Sequence, residues 1–506
     1  MERDYKARKE AFVSNLAGGS IDEINAVALV ASALLQVSAL LWSTLQSRLS
    51  FFTPYTPAAL LTDFLLNVGG ILFATTIYSA SPLLLNILLL SPVALILLTS
   101  RRVRPRQKQA KPSRHAQQNA TQTQNLAPFP VHPFLTTYRA AMMVVTCSAI
   151  LAVDFPIFPR RFAKVENWGT SLMDLGVGSF VFSAGVVSAR AILKTQVTAK
   201  SALSRQSNLF QRLVAAFRHS IPLLVLGLIR LYSVKGLDYA EHVTEYGVHW
   251  NFFFTLGLLP PFVEIFHTLY SVIRSYEVLT LLIITAYQVT LESTDLKAYI
   301  LVSPRGPDLL SKNREGVFSF IGYLAIFLSG RATGLRIIPR GTTDIKPSAA
   351  QQARRRVLVS LAIAAISWSV FFIFNSTPAF GYGAGIPVSR RLANMPYVLW
   401  VSAFNNAQIL LFCVTETLLF PSVHRATDKE TERQETKFAT SRIMAAFNKN
   451  GLVVFLVANL LTGAVNLSFN TLDANAWQSL AILIAYMALV TAFALGLDAS
   501  GLKLKI

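Results

Sequence analysis

Two clusters of ionisable residues could do chemistry in this chain. The first contains two carboxylates, Asp154 and Asp174, and between them three cations: Arg160, Arg161 and Lys164. Their spacings of three and four residues place the cations on one side of a helical turn, beside a carboxylate. A carboxylate can act as a general base, and fixed cations can bind phosphate or stabilise an oxyanion. The alternative is interfacial anchoring of a membrane helix by basic residues.

The second cluster lies within residues 238–251. It contains three carboxylates and two histidines: Asp238, Glu241, His242, Glu245 and His249. If this segment is helical, these side chains share one face, because their spacings are three, four and seven residues. Such a face could relay protons or bind a metal, and it could equally be a solvated helix surface. No metal-ligand spacing is met and Gly247 weakens the helix, so we expect no metal site.

Two shorter motifs add polar residues next to apolar segments. They are Asn313-Arg314-Glu315-Gly316 and Ser389-Arg390-Arg391. Each could bind phosphate or sugar, since a guanidinium fork suits phosphate, and each could instead be a helix cap with interfacial arginines. The residues that we expect to bind substrate are Arg160, Arg161, Asp174, Glu245, Asn313, Arg314 and Arg390.

Apolar segments of membrane-spanning length must position these residues. A spanning helix needs about 20 mostly apolar residues, and about thirteen such segments occur. They lie near residues 24–44, 58–79, 82–99, 138–154, 171–190, 220–233, 250–268, 277–291, 316–330, 357–375, 397–419, 452–469 and 478–497. The fourth should end at Asp154, because Pro156 and Pro159 cannot continue a helix. Small residues line the fifth, which predicts close approach of another helix or of a lipid tail.

The composition agrees with a membrane protein. The chain is 53% hydrophobic and 14% charged, whereas a soluble protein is about 25% charged. The net charge of +20 could indicate nucleic-acid binding, but its placement favours topology. The loops after spans 3, 5, 9 and 11 hold roughly 26 Lys and Arg residues, against roughly 10 in the alternate loops.

We therefore predict an all-α, polytopic fold, with residues 1–506 forming a single multi-pass membrane domain of about 13 transmembrane helices. The charge asymmetry predicts a lumenal N-terminus and a cytoplasmic C-terminus. Residues 101–127 form a basic, low-complexity segment, which we expect to be a cytoplasmic loop. No nucleic-acid partner is expected.

Several stretches of the chain resemble one known family. They lie at residues 8–20, 152–180, 241–253, 313–316 and 389–391. Among them are AVDFP at 152–156 and EHVTEYGVHWNFF at 241–253. They resemble the GPI-anchor inositol acyltransferases, which in fungi are called GPI-anchored wall transfer proteins. The resemblance extends over nearly the whole chain, with residues 101–127 as the main exception.

The resemblance implies a multi-pass enzyme of the endoplasmic reticulum membrane. Such an enzyme moves a fatty acyl chain, usually palmitoyl, from acyl-CoA to the inositol 2-hydroxyl of glucosaminyl-phosphatidylinositol. Acyl-CoA is then a co-substrate and no cofactor is required. The resemblance also implies essential roles for Asp154 and Lys164, with Asp154 as general base and Lys164 at the oxyanion or a phosphate. His242 and His249 are rival bases, because nearby cations weaken a carboxylate as a base.

Two other classes of function are compatible with parts of this sequence. A proton-coupled transporter would also place carboxylates and histidines at membrane depth, but its usual inverted repeats are not visible here. A non-catalytic membrane scaffold explains the apolar segments and leaves the ionisable clusters unexplained. The sequence assigns neither protein partners nor an oligomeric state.

Overall fold

A computed structural model describes most of the chain. The described residues are 8–9, 11–12, 21–100, 128–166, 168–169, 171–201, 208–235, 243–340, 347–376, 384–426 and 428–502. Every regular element within these ranges is helical, which confirms the all-α prediction. The predicted loop 101–127 and the candidates Asp238, Glu241 and His242 lie outside the described residues.

The helices of the described ranges are numbered here in chain order. The first nine are α1 (Ile21–Leu49), α2 (Pro57–Thr75), α3 (Pro82–Thr99), α4 (Pro133–Ala152), α5 (Leu172–Ser201), α6 (Leu209–Lys235), α7 (Val243–Tyr246), α8 (Phe252–Leu269) and α9 (Tyr276–Ser293). The others are α10 (Leu296–Leu301), α11 (Leu309–Lys312), α12 (Arg314–Ile337), α13 (Pro347–Ser376), α14 (Met395–Leu419), α15 (Lys429–Phe438), α16 (Arg442–Lys449), α17 (Gly451–Ser468) and α18 (Ala476–Ala499).

Each predicted span coincides with one of these helices. Among the described residues, 10 helices are long and apolar enough to cross a membrane, namely α2, α4, α5, α6, α8, α12, α13, α14, α17 and α18. The remaining three predicted spans fall on α1, α3 and α9. The chain is therefore an all-α, multi-pass membrane protein. The direction in which it crosses the membrane stays a prediction.

Helix α12 is the centre of the bundle, and α5 packs directly against it. In the most apolar stretch of α12, 83% of the residues are buried, compared with 17% in α6. Glycines allow the two backbones to meet, because a Cβ added at Gly185 or at Gly330 would lie 2.1 Å from a carbonyl oxygen of the facing helix. Small residues at such crossings are typical of membrane helices.

The two ends of the bundle carry different groups of residues. At one end α4 and α9 finish while α5, α12 and α14 begin, and we call it the Asp154 end. At the opposite end α4 and α13 begin and α14 finishes. There Arg354 of α13 pairs with Glu416 of α14 at 2.6 Å, and Glu416 also accepts the backbone N–H of Phe134 at 2.7 Å. This buried pair ties three helix termini together.

Candidate functional site

Asp154 lies in the turn that follows α4. The helix ends at Ala152, as Pro156 and Pro159 predict, because proline removes a helical N–H and clashes with the preceding turn. The Asp154 side chain is buried, with a relative exposure of 6%. Its Oδ2 accepts a hydrogen bond from Nδ2 of Asn466 on α17 at 2.8 Å.

The orientation of Asn466 is set by its second partner. Lys9 donates from Nζ to Oδ1 of Asn466 at 2.8 Å. A lysine ammonium has three donors and no acceptor, so the carbonyl oxygen of the amide must face Lys9. The amide nitrogen then faces Asp154, whose carboxylate can only accept. Asn466 is therefore a fixed donor to the Asp154 carboxylate.

The N-terminal segment packs over the same turn. Arg8 pairs with Asp473 at 2.8 Å, and the Phe12 ring lies 3.8 Å from the guanidinium carbon of Arg160. These contacts place Arg8 and Phe12, which belong to a stretch that carries the family resemblance, directly on the candidate site. The sequence alone gave no reason to place this segment there.

The structure directs Arg160 and Arg161, two predicted phosphate ligands, to backbone carbonyls. Nη2 of Arg160 donates to the carbonyl of Val153 at 2.8 Å and to that of Phe158 at 2.9 Å. Burial lowers the pKa of Arg160 to about 10, although the charge of Asp154 opposes this change. Nη2 of Arg161 donates to the carbonyl of Ser79, beyond the end of α2, at 2.8 Å. Both arginines thus hold the turn in shape.

Lys164 joins the two predicted clusters. Its Nζ forms an ion pair with Oε2 of Glu245 at 2.9 Å, and the side chains are 33% and 18% exposed. Glu245 lies in the short helix α7. Lys164 is therefore held in place by a carboxylate and still has an accessible face, as a group that contacts substrate needs.

Asp174 and Arg390 form a fully buried pair at the start of α5. Nε of Arg390 lies 2.6 Å from Oδ1 of Asp174, with exposures of 2% and 1%. The other carboxylate oxygen accepts the Ser171 hydroxyl at 2.8 Å and the Val165 N–H at 3.2 Å. Burial alone would lower the pKa of Arg390, but the charges of Asp174 and Glu245 outweigh it and raise that pKa.

Three tyrosines surround Arg390. The ring of Tyr246 lies 5.9 Å from the guanidinium carbon, and the rings of Tyr323 and Tyr397 meet edge-on at 6.4 Å. The Tyr397 hydroxyl donates to the carbonyl of Asp174 at 2.7 Å. The Tyr323 hydroxyl interacts with Tyr246 and with the Arg390 guanidinium. Asp174, Arg390 and the three tyrosines thus form one buried polar cluster at the start of α5.

The structure corrects the expectation of one long stripe in the second cluster. Helix α7 ends at Tyr246, and Gly247 follows with φ +114°, so Glu245 and His249 do not share a helical face. A Cβ at Gly247 would lie 2.6 Å from Cα of Asn313, which explains why glycine is needed there. The backbone N–H of His249 donates instead to Oδ1 of Asn313 at 2.8 Å. Nδ1 of His249 is buried without a partner among the described residues.

Arg314 and its neighbours form a buried anchor. Arg314 is 3% exposed and donates to the carbonyls of Ser303 and Pro304. Glu315 is fully buried and pairs with Arg305 at 2.6 Å and with Arg391 at 2.9 Å. The motifs at 313–316 and 389–391 are therefore linked through Glu315, a role that their sequences do not reveal.

The small residues of α5 serve two different purposes. A Cβ at Gly178 would lie 2.5 Å from Val401 of α14, so this glycine permits helix packing. A Cβ at Gly176 would meet nothing within 4 Å. Gly176 and Ser179 line a narrow, apolar cavity of about 30 Å³ that begins beside Leu172. The other side chains around this cavity belong to α1, α2, α4, α5 and α14.

The sequence analysis missed Asn466, Lys9 and the tyrosines around Arg390. One signal for Asn466 was available, since an amide inside an apolar span is costly unless it has a partner. Lys9 and Asn466 are 457 residues apart in the chain. No local spacing could therefore have paired them.

Comparison with known proteins identifies the family. The family model described as GWT1 matches residues 5–497. A GPI-anchored wall transfer protein 1 from Aspergillus fumigatus is 68% identical over 507 residues, which cover 99% of each chain. Proteins of the same name from Yarrowia lipolytica and Candida albicans are 43% and 39% identical, over 99% and 100% of each chain. This chain therefore belongs to the GWT1 family, together with the GPI-anchored wall transfer proteins.

Proposed function

We propose that this protein is an acyl-CoA-dependent inositol O-acyltransferase of GPI-anchor biosynthesis. It would move a fatty acyl chain, usually palmitoyl, from acyl-CoA to the inositol 2-hydroxyl of glucosaminyl-phosphatidylinositol, in the endoplasmic reticulum membrane. The names of its relatives support the connection to GPI anchors. One structural observation carries the proposal. A single loop carries a buried carboxylate, Asp154, and a part-exposed lysine, Lys164, and leads into α5, whose Gly176 and Ser179 line an apolar cavity.

The reaction divides between these two side chains. Asp154 takes the proton of the inositol hydroxyl as its oxygen attacks the thioester carbonyl. The carbon–sulfur bond then breaks, the thiolate of CoA leaves and takes up the proton, and an inositol ester remains. A positioned general base contributes about 10²–10⁴-fold to such a rate. Asn466 keeps the carboxylate oriented and accepting by donating to its Oδ2.

Lys164 is positioned to stabilise negative charge. In the tetrahedral intermediate the thioester oxygen becomes an oxyanion, and a fixed donor to that oxygen contributes about 10²–10³-fold. Glu245 holds the ammonium in place at 2.9 Å. The same cation could instead contact the phosphate of the lipid acceptor, so the kinetic effect of a Lys164 variant separates the two roles. Loss of an oxyanion donor lowers kcat, whereas loss of a phosphate contact raises KM.

The polar headgroup of the acceptor would bind beside the cluster of Asp174, Arg390 and the three tyrosines. A guanidinium such as that of Arg390 is the kind of partner that phosphate oxygens require. The cavity beside Gly176 and Ser179 is apolar and suits the first methylenes of the acyl chain. Polar and apolar parts of the two substrates would then meet at the start of α5.

His249 remains the rival base. Its buried Nδ1 has no partner among the described residues, and an imidazole titrates closer to neutral pH than an ordinary carboxyl group does. Two variants separate the candidates. We expect His249→Gln to keep at least about one tenth of the rate, because an amide can replace a hydrogen-bonding role but not a base. Asp154→Asn should abolish transfer, and the reverse pattern would assign the base to His249.

The deciding experiment is transfer with defined components. The purified protein in lipid nanodiscs is given glucosaminyl-phosphatidylinositol and labelled palmitoyl-CoA, and the labelled lipid is separated and tested for an alkali-labile ester. We expect an acylated inositol in the wild type. Absence of product, together with proton movement when the protein is reconstituted in vesicles, would instead support the transporter.

A further inference from the structure

A second and larger cavity lies in the wall of the bundle, away from the Asp154 end. It has a volume of about 780 Å³ and is bordered by α9, α12 and α13. We call it the α13 cleft. Its charged and amide residues are Glu277, Arg336, Gln352, Arg355 and Arg356. Its apolar residues include Leu281, Val359, Ile363, Trp368 and Phe371.

The charges of the α13 cleft are concentrated at one end and are not balanced. Glu277, at the start of α9, forms an ion pair with Arg336 in the last turn of α12. Arg355 and Arg356 are exposed, and within the part of the chain that the structure describes neither has an acidic partner. Two neighbouring guanidiniums are thus left to face the cleft. Their planar forks match the geometry of a phosphate.

The rest of the α13 cleft faces the lipid. Only 28% of the residues in the most apolar stretch of α13 are buried inside the protein. Val359 and Ile363 are 49% and 60% exposed, although both line the cleft. Whatever fills this part must be apolar and must come from the bilayer, because water cannot satisfy such a surface at membrane depth.

The length of the α13 cleft matches one leaflet. Arg356 and Phe371 are separated by about 22 Å along the helix axis, at a rise of about 1.5 Å per residue. Half of a bilayer measures about 20–22 Å from the headgroup surface to the midplane. The arginine pair therefore lies at headgroup depth when Phe371 lies near the midplane.

We propose that the α13 cleft binds an anionic phospholipid of the surrounding bilayer. Its phosphate contacts Arg355 and Arg356, and one acyl chain lies along Val359, Ile363 and Phe371. The two unbalanced positive charges select an anionic head over a zwitterionic one. The charged part of the cleft lies at the end of the bundle opposite to the Asp154 end. This lipid is therefore a ligand additional to the proposed acyl acceptor.

The test measures lipid binding directly. The purified protein in detergent is titrated with phosphatidylserine or phosphatidylcholine and observed by native mass spectrometry. The Arg355→Gln/Arg356→Gln variant should bind phosphatidylserine about 30-fold more weakly than the wild type. Each basic residue near an anionic lipid strengthens binding about fivefold, and the variant removes two. The Arg433→Gln/Lys437→Gln variant is the matched control. It removes the same charge from exposed positions on α15 and should bind like the wild type.

A second variant tests the apolar half. Ile363→Trp should obstruct the acyl chain while both arginines remain. Because Ile363 is exposed, the larger ring does not enter the protein core, and the core should stay unchanged. We expect weaker phosphatidylserine binding with an unaltered thermal unfolding temperature. Equal binding by the wild type and the double-arginine variant would overturn the proposal. So would equal affinity for the two lipids, or displacement of phosphatidylserine by equimolar palmitoyl-CoA.

Discussion

Replacement of Asn466 by alanine tests whether Asp154 is a positioned base. The variant removes one hydrogen bond of 2.8 Å to a carboxylate that is 6% exposed. A hydrogen bond to a charged group contributes about 1.5–3 kcal/mol. If this energy holds the carboxylate in its reactive orientation, the loss of the bond lowers kcat by up to about 10–150-fold, since each 1.36 kcal/mol is a factor of ten.

The direction of the pH dependence distinguishes positioning from simple damage. A donor to a carboxylate favours the ionised form, so without it ionisation requires a higher pH. The acid limb of the rate profile should therefore move toward higher pH in Asn466→Ala. The assay is the initial rate of acylated lipid formation from labelled palmitoyl-CoA, measured across pH at saturating substrate.

Asn459 provides the matched control on the same helix. Its amide donates to the carbonyl of Phe455, one turn earlier in α17, at 2.8 Å. Asn459→Ala removes the same side chain without touching Asp154, and its rate and pH profile should match the wild type. The reasoning is refuted if Asn466→Ala turns over within about twofold of Asn459→Ala with an unchanged acid limb, since a bond of this type should cost more.

Three further predictions concern acyl selectivity, acid stability and packing. Gly176→Leu should shift the preference from palmitoyl-CoA toward shorter chains in a competition assay, because the leucine enters the cavity and its Cβ meets no neighbour within 4 Å. Burial, reinforced by Arg354, lowers the pKa of His132 to about 3. This neutral histidine is therefore tolerated by the fold above about pH 6.5, and stability is lost progressively as the pH falls toward 3, by up to about 5 kcal/mol. The unfolding temperature should fall less at acid pH in His132→Gln than in the wild type. An identical fall in both proteins would contradict this role of His132. Gly185→Ala should lower the unfolding temperature, since its Cβ would lie 2.1 Å from the carbonyl of Phe327, and an unchanged temperature would show that α5 can shift freely.

Much of the fold follows from local sequence properties. Apolar length predicted the position of every long helix in the described ranges, because a membrane-spanning helix must satisfy its backbone internally. The prolines at 156 and 159 correctly placed the end of α4, since their effect on a helix is local. The charged motifs were also predicted as special, although the ion pair of Lys164 with Glu245 was not.

The partners of these residues could not be predicted in the same way. The helical spacing of Glu245 and His249 suggested a shared face, but Gly247 turns the chain between them. The guanidiniums of Arg160 and Arg161 donate to backbone carbonyls, a role that their spacing did not predict. A motif shows that a residue is unusual, whereas its partner is set by packing between segments distant in sequence.

The central claim is that Asp154 removes the proton from the acceptor hydroxyl. Its most direct test compares purified wild type and Asp154→Asn in nanodiscs, with glucosaminyl-phosphatidylinositol and labelled palmitoyl-CoA, after thermal unfolding has shown that both are folded. The amide keeps the shape of the carboxylate and can still face Asn466, but it cannot accept a proton. We predict loss of at least about 10²-fold in kcat, the contribution of a general base. Turnover by Asp154→Asn at a rate near that of the wild type would contradict this account.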